Sequence, residues 1–257
     1  MASGALPARS ARAAWAPRWR GLAGTMGLVV AALWPSGALP QALTAAEMAP
    51  RVLACTACHG KEGRATPEGY FPRIAGKPAG YLYNQLQNFR DGRRNYAPMA
   101  HLLRHMSDAY LWEMARYFAA LDVPYPPAAP AKAPESTLRR GARLALQGDP
   151  ALGLPACAQC HGPALAGGGD YVPGLLGLPR DYINGQIGAW KAGQRRAHAP
   201  DCMARVADAL TPDDIGAVSA WLAAQSLPPP SASPLPTLPP PWPCGGLGAT
   251  PHGGRTP

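Results

Sequence analysis

The chain has 257 residues, of which 47% are apolar, 7% aromatic and 15% charged, with 29 glycines and 32 prolines. The apolar content is sufficient for a core, and the many glycines and prolines indicate loops and linkers between short elements. A long coiled coil and a multi-pass membrane protein are excluded, and sparse β-branched and aromatic residues disfavour a large sheet. The formal net charge is +9, but no basic run with interleaved aromatic residues occurs, so it does not indicate a nucleic-acid partner.

The first 38 residues have the features of an export signal. They contain four arginines and no acidic residue, and an apolar stretch at 21–35 is followed by small residues. We interpret 1–38 as a Sec-type signal peptide, which predicts a periplasmic protein. Cleavage a few residues later, near Ala42 or Ala45, fits equally well. An uncleaved membrane anchor is the alternative, although the apolar stretch is shorter than the ~20 residues that a span needs.

Four of the six cysteines form one short motif that occurs twice. Each copy is a C-x-x-C pair followed directly by histidine, at Cys55, Cys58 and His59 and at Cys157, Cys160 and His161. This is the c-type haem attachment motif, in which both thiols bond to one haem and the histidine binds the iron. A thioredoxin-like pair would sit beside a βαβ pattern, and a zinc site would not require histidine after each pair. We therefore predict two covalently bound haem c groups.

The rest of the chain is duplicated as well. The two motifs are 102 residues apart, segment 70–92 matches 171–193 at an offset of 101, and 107–118 matches 211–222 at an offset of 104. A repeat of this length indicates two homologous domains. The predicted boundaries are 1–38 for the signal peptide, 39–121 for the first domain, 122–136 for a Pro-rich linker, 137–226 for the second domain and 227–257 for a Pro-rich C-terminal tail.

Each domain is predicted to be all-helical. The last helix of the second domain should begin with Thr211 as N-cap and Pro212 at the first helical position, and its counterpart should begin at Ser107. Middle helices are expected at about 78–90 and 179–192. The linker prolines favour a semi-rigid, extended spacer. The composition of the tail leaves open whether it wraps over a domain or stays disordered.

Each haem iron also needs a ligand on the side away from the histidine. Met99 and Met203 are related by the offset of 104, and they follow their proximal histidines by 40 and 42 residues. The rival candidates lack a ligand-capable counterpart in the other copy; they are Met106, His101, His105, His198 and His252. We therefore assign Met99 and Met203 as the axial ligands. Thioether ligation raises the reduction potential and leaves the iron without an open position.

With two attachment motifs, two downstream methionines and a duplicated frame, the chain resembles the diheme c-type cytochromes of the cytochrome c4 kind. The resemblance extends over about residues 47–226. It implies an all-α protein of two tandem class I cytochrome c domains that face each other and exchange electrons. It also implies that the carbonyls of Pro72 and Pro173 accept the Nδ1–H of the proximal histidines and orient them.

We interpret the protein as a periplasmic diheme electron-transfer cytochrome c without substrate chemistry of its own. It is expected to carry electrons from a dehydrogenase or quinol-oxidising complex to a terminal oxidase or another acceptor. Membrane association is expected only through a partner or an uncleaved N-terminus. The main alternative is a cytochrome subunit of a dehydrogenase complex. A diheme peroxidase would need an iron with an open position, which two methionine ligands do not leave.

Two cysteines, Cys202 and Cys244, lie outside the attachment motifs. An exported chain enters an oxidising compartment, where free thiols tend to pair. We therefore predict a disulfide between them, which would tie the tail across the loop that holds Met203. Two unpaired thiols, or a bond between chains, are the alternatives.

Overall fold

Helices connected by glycine- and proline-rich loops form most of the structure. The computed structural model describes residues 43–128, 130–228 and 240–248, so the predicted export signal lies outside the described residues. The first half has helices α1 (Ala45–Met48), α2 (Leu53–His59), α3 (Ala79–Arg90), α4 (Ala97–Leu103) and α5 (Asp108–Ala119). Within the described ranges, no helix is both long enough and apolar enough to span a membrane.

The second half repeats this frame. Its helices are α6 (Glu135–Leu146), α7 (Cys157–His161), α8 (Arg180–Lys191), α9 (Cys202–Ala209) and α10 (Pro212–Ala223). One element, a pair of two-residue antiparallel strands, was not predicted from the sequence: β1 (Gly167–Gly168) and β2 (Val172–Pro173). Short 3-10 turns lie at Ala49–Val52, Lys61–Gly63 and Pro150–Leu152. The all-helical prediction is therefore confirmed apart from this strand pair.

The predicted helix starts are confirmed by their caps. The Ser107 hydroxyl accepts a backbone hydrogen bond at the start of α5. Thr211 caps α10, with Pro212 at the first helical position. Helices α3 and α8 begin directly after Pro78 and Pro179. Side-chain capping therefore marks the starts of α5 and α10, whereas α3 and α8 follow a proline and have no side-chain cap.

Each half has a hydrophobic core of its own. In the first half α3 packs against α5, and in the second half α6 and α8 pack against α10. The first core includes the buried residues Met48, Val52, Leu82, Tyr83, Leu103, Leu111, Met114 and Phe118. The second includes Leu144, Ala145, Ile183, Ile187, Ala207, Ile215, Val218 and Leu222. Helix α5 contributes Leu111, Met114 and Phe118 to the first core, and α10 contributes Ile215, Val218 and Leu222 to the second.

The two halves also pair through their backbones. Arg94 and Arg195 form an isolated antiparallel bridge. Beside it, the Asn95 amide donates to the Gln194 carbonyl, and the Arg196 amide donates to the Arg93 carbonyl, both at 2.7 Å. Because these segments follow α3 and α8, the contact joins equivalent parts of the repeat.

The beginning of the predicted linker is packed rather than free. Val123 is buried, and the buried Arg73 guanidinium donates to the carbonyls of Val123 and Pro124. The same guanidinium lies 3.8 Å from the centroid of the Tyr125 ring, which also packs against Gly177 of the second half. At the C-terminal end of the linker, α6 begins at Glu135. The residues that connect the halves therefore also hold them together.

Replacing Gly141 of α6 with alanine should destabilise the second half. A Cβ at this position would lie 2.2 Å from the Ala217 carbonyl oxygen of α10, so the two helices would have to separate. We expect a loss of about 2 kcal/mol in the free energy of unfolding, typical of overpacking. The measurement is denaturant unfolding of the haem-loaded protein.

Gly188→Ala is the matched control, because Gly188 lies in α8 with open space where its Cβ would be. This variant should be neutral or more stable by up to about 1 kcal/mol, since alanine is the better helix former. Equal destabilisation by both substitutions would contradict the close approach of α6 and α10.

Candidate haem-binding sites

The histidine of each motif is the last residue of its helix. Helix α2 ends at His59 and α7 ends at His161. The next residues, Gly60 and Gly162, have positive φ angles of 76° and 84°, which glycine adopts most readily. Neither position has room for a side chain, because a Cβ at Gly60 would lie 2.4 Å from the carbonyl oxygen of Ala65 and one at Gly162 would lie 2.6 Å from that of Gly167. The chain therefore turns sharply after each histidine.

Each histidine ring is held by a proline carbonyl. His59 Nδ1 lies 2.7 Å from the Pro72 oxygen, and His161 Nδ1 lies 2.7 Å from the Pro173 oxygen. Because a carbonyl can only accept, Nδ1 carries the proton and donates, and Nε2 keeps a free lone pair. Burial lowers the pKa of both rings, against the opposing effect of the proline carbonyls. Neutral imidazole with a free Nε2 is the form that binds iron.

The four motif cysteines are not in disulfides. The two cysteines of each pair are three residues apart in the same helix, which places their sulfurs on one face of that helix. Burial raises the pKa of Cys55 and Cys160, and raises that of Cys157 to about 11. These surroundings suit a neutral thioether better than a zinc-bound thiolate. Among the described residues, no cluster of three or more His, Cys, Asp or Glu side chains could hold a metal ion.

A cavity of about 610 Å³ lies beside the first motif. Both cysteines of the pair, His59 and Met99 line it, so the structure brings the predicted residues of the first site together. Its walls are mainly apolar and include Ile74, Leu82, Leu86, Phe89, Leu103 and Phe118. Residues of the second half complete it, among them Tyr182, Gln186 and Arg195. An apolar cavity with thiols and a histidine along its wall fits a covalently attached haem.

The two methionines predicted as iron ligands occupy equivalent elements. Met99 lies in the first turn of α4 and packs, half-buried, against the first core. Met203, also half-buried, is the second residue of α9, whose N-cap Asp201 accepts hydrogen bonds from the Ala204 amide, the Ala197 amide and the Trp190 indole. Three donors on one carboxylate hold the start of α9 in place.

The rival ligands have different surroundings. His101 and Met106 line the same cavity as Met99, so the assignment of Met99 rests on the repeat. His105 is exposed. His198 lies 3.4 Å from the Arg93 guanidinium, and His252 lies outside the described residues.

Two arginines missed by the sequence analysis lie where the halves meet. Arg94 donates to Gln85 and Gln186 at 3.1 and 2.5 Å, and Arg195 donates to the same glutamines at 3.0 and 2.6 Å. Each guanidinium also covers an aromatic ring of its own half, Arg94 over Phe89 and Arg195 over Trp190. All three pairs are related by the offset of 101. The repeat could therefore have identified the arginines.

A third cation breaks this symmetry. Lys77 is buried and lines the first cavity, and its positive charge helps to lower the pKa of His161 in the other half. The offset of 101 places Leu178 at the equivalent position. Within the described ranges, Lys77, Arg94 and Arg195 form no ion pair with a carboxylate of the chain. Lys77 and Arg195 are buried and Arg94 is half-buried. Buried cations need a counter-charge, and the two propionates of a haem would supply it. The first cavity, its motif residues and these cations therefore fit a haem group.

The remaining predicted pair, Cys202 and Cys244, is joined by a disulfide in the structure. Their Cα atoms are 5.5 Å apart, within the range that such a bond requires. The bond connects the start of α9 to the C-terminal tail.

Comparisons with known proteins agree with this arrangement. No protein-family model matches the chain. The chain is 41% identical over 181 residues to a thiosulfate dehydrogenase electron acceptor from Thiomonas intermedia (strain K12), a match covering 70% of this chain and 82% of the relative. It is 33% identical over 172 residues to cytochrome c4 from Pseudomonas aeruginosa, covering 65% of this chain and 82% of the relative.

A solved structure gives the same picture. Reduced recombinant cytochrome c4 from Pseudomonas stutzeri matches with a TM-score of 0.58 and 29% identity, over 69% of this chain and 96% of that chain. Fold, motifs and relatives together define a diheme c-type cytochrome, an electron-transfer protein with two covalently bound haem c groups and no substrate chemistry of its own. The chain belongs to the cytochrome c4 family, as the sequence resemblance predicted.

The substitution Lys77→Leu introduces the residue found at the equivalent position of the second half. It should lower the reduction potentials of the haems. A buried positive charge favours the ferrous state, so its removal should shift the potentials by a few tens of millivolts. Lys77→Arg should retain the potentials. The measurement is a spectroscopic redox titration of the haem-loaded protein.

Lys132 provides the control, because it is exposed and its charge is screened by solvent. Lys132→Gln removes the same formal charge and should leave both potentials unchanged. Equal shifts in the Lys77→Leu and Lys132→Gln variants would show that net charge alone matters, which would contradict a local effect of Lys77.

Proposed function

We propose the following ligand set for the two haems. Cys55 and Cys58 attach the first haem and His59 binds its iron, with Met99 as the sixth ligand. Cys157 and Cys160 attach the second haem, and His161 and Met203 bind its iron. The neutral, proline-held imidazoles described above support this assignment, as does the offset that relates the two methionines.

A haem held by these residues would supply one-electron chemistry between the ferric and ferrous states. The protein contributes position and environment. Pro72 and Pro173 fix the tautomer of the histidine rings, and Lys77, Arg94 and Arg195 would compensate the propionate charges. Met99 and Met203 would leave neither iron with an open position, so the proposed role is electron transfer rather than peroxide turnover.

We further propose that the protein works in the periplasm as the electron acceptor of a thiosulfate-oxidising dehydrogenase. The observation that carries this proposal is the 41% identity to a thiosulfate dehydrogenase electron acceptor, over 82% of that protein. The predicted signal peptide supports the location. A terminal oxidase or another carrier would take the electrons onward.

The donor can be tested by mixing the oxidised protein with a purified thiosulfate dehydrogenase and thiosulfate. We expect both haems to become reduced, as seen in the visible absorption bands, only when enzyme and thiosulfate are both present. Reduction by a quinol-oxidising complex, without any reduction by the dehydrogenase, would overturn the proposed donor. Co-purification with the dehydrogenase through gel filtration would favour the alternative of a permanent subunit.

Replacement of either axial methionine should remove part of one spectroscopic signal. Ferric haem with methionine ligation shows a weak near-infrared band that arises from the sulfur–iron bond. We expect Met99→Ala and Met203→Ala each to remove about half of this band, because each iron loses its thioether.

Met106→Ala is the matched control, since Met106 lines the first cavity as Met99 does. It should leave the band intact. If Met106→Ala instead halves the band while Met99→Ala leaves it whole, the axial ligand of the first site is Met106.

A further inference from the structure

The described part of the C-terminal tail lies against the loop that holds Met203. We call residues 240–248 the strap. Its Cys244 is bonded to Cys202, the residue directly before Met203, with a sequence separation of 42. A covalent bond therefore connects the end of the chain to the neighbour of a proposed iron ligand.

Noncovalent contacts of the strap lie on both sides of Met203. Before the methionine, the Gly245 amide donates to the Pro200 carbonyl at 2.9 Å. A Cβ at Gly245 would lie 2.1 Å from the Ala199 oxygen, so the two backbones touch. After the methionine, the Arg205 guanidinium covers the Trp242 ring at 4.0 Å. The strap thus holds the first turn of α9 from both ends.

The strap also reaches the first half of the molecule. The side chain of Asn84, a buried residue of α3, donates to the Gly246 carbonyl at 2.7 Å. Since α3 belongs to the first core, this bond anchors the strap to a second rigid element. Movement of the Met203 loop therefore has to disturb contacts in both halves.

The first methionine loop has no covalent restraint of this kind. The offset of 104 places Pro98 opposite Cys202, so no cysteine precedes Met99. Met99 is held by the packing of α4 against α3 and the first core. The two sites, alike in their predicted ligands, differ in how firmly the methionine loop is held.

We propose that the strap is a positioning element that keeps Met203 on the second iron. This inference rests on the proposed assignment of Met203 as a ligand. Exchange of a methionine ligand requires its loop to move away from the iron. At the second site that movement has to pull against a disulfide, a cation–π contact and a bond to the other half. The second iron should therefore resist foreign ligands more than the first.

The test is the rate at which imidazole displaces methionine in the ferric, haem-loaded protein. The variant Cys202→Ser/Cys244→Ser removes the covalent bond with little change in side-chain size. We expect displacement to become about tenfold faster in the half of the signal that belongs to the second haem, a modest part of what such a cross-link contributes. The other half of the signal serves as an internal control and should keep its rate.

Trp242→Ala provides a second variant that retains the disulfide. It should accelerate the same half of the signal by a smaller factor. It also keeps the experiment decisive if the double serine protein does not accumulate. Unchanged rates in both variants, or equal acceleration at both haems, would overturn the proposal.

Failure of the ligand assignment can be distinguished from failure of the strap. If Met203→Ala leaves the near-infrared band whole, the assignment fails and the strap proposal fails with it. If Met203→Ala halves the band but the double serine variant exchanges at the wild-type rate, Met203 is the ligand and the strap does not hold it.

Discussion

Both proposed iron sites depend on one hydrogen bond between a buried imidazole and a proline carbonyl. His59 and His161 form this bond at the same distance, 2.7 Å, to partners 13 and 12 residues further along the chain. The bond fixes the proton on Nδ1 and thereby leaves Nε2 to the iron. The glycine turn after each histidine lets the chain return to the ring. Burial then keeps the ring neutral, because a charged imidazole would lose its hydration.

The contact between the halves is symmetric in its arginines and asymmetric in one charge, that of Lys77. Arg94 and Arg195 share the same glutamine acceptors and cover equivalent aromatic rings, so a duplicated sequence produces a two-fold arrangement. Lys77 has Leu178 as its counterpart, which places one unmatched positive charge in this region. Two identical sites would have no reason to differ in potential. An unmatched buried cation gives a physical basis for such a difference.

Local chemistry explains what the sequence could predict. The caps at Ser107 and Thr211 depend on neighbouring residues, and the repeat offset related Met99 to Met203 without any knowledge of the fold. The arginine contact between the halves was missed because it joins residues about 100 positions apart, and only their equivalence in the repeat hints at it. The packing of Arg73 on the linker also depends on distant partners. A proline-rich composition predicts an extended chain but not the surface on which it lies.

Duplication gives the two halves the same proposed ligand residues, so differences between them arise from additions to the repeated frame. At the second site the addition is a disulfide between Cys202 and the tail, beside Met203. An electron carrier has to keep its ligands in both oxidation states, and a thioether binds ferric iron less firmly than ferrous iron. A restraint on the methionine loop therefore matters most in the oxidised protein. The oxidised protein is the form that accepts an electron from the donor, and until then its iron can react with competing ligands.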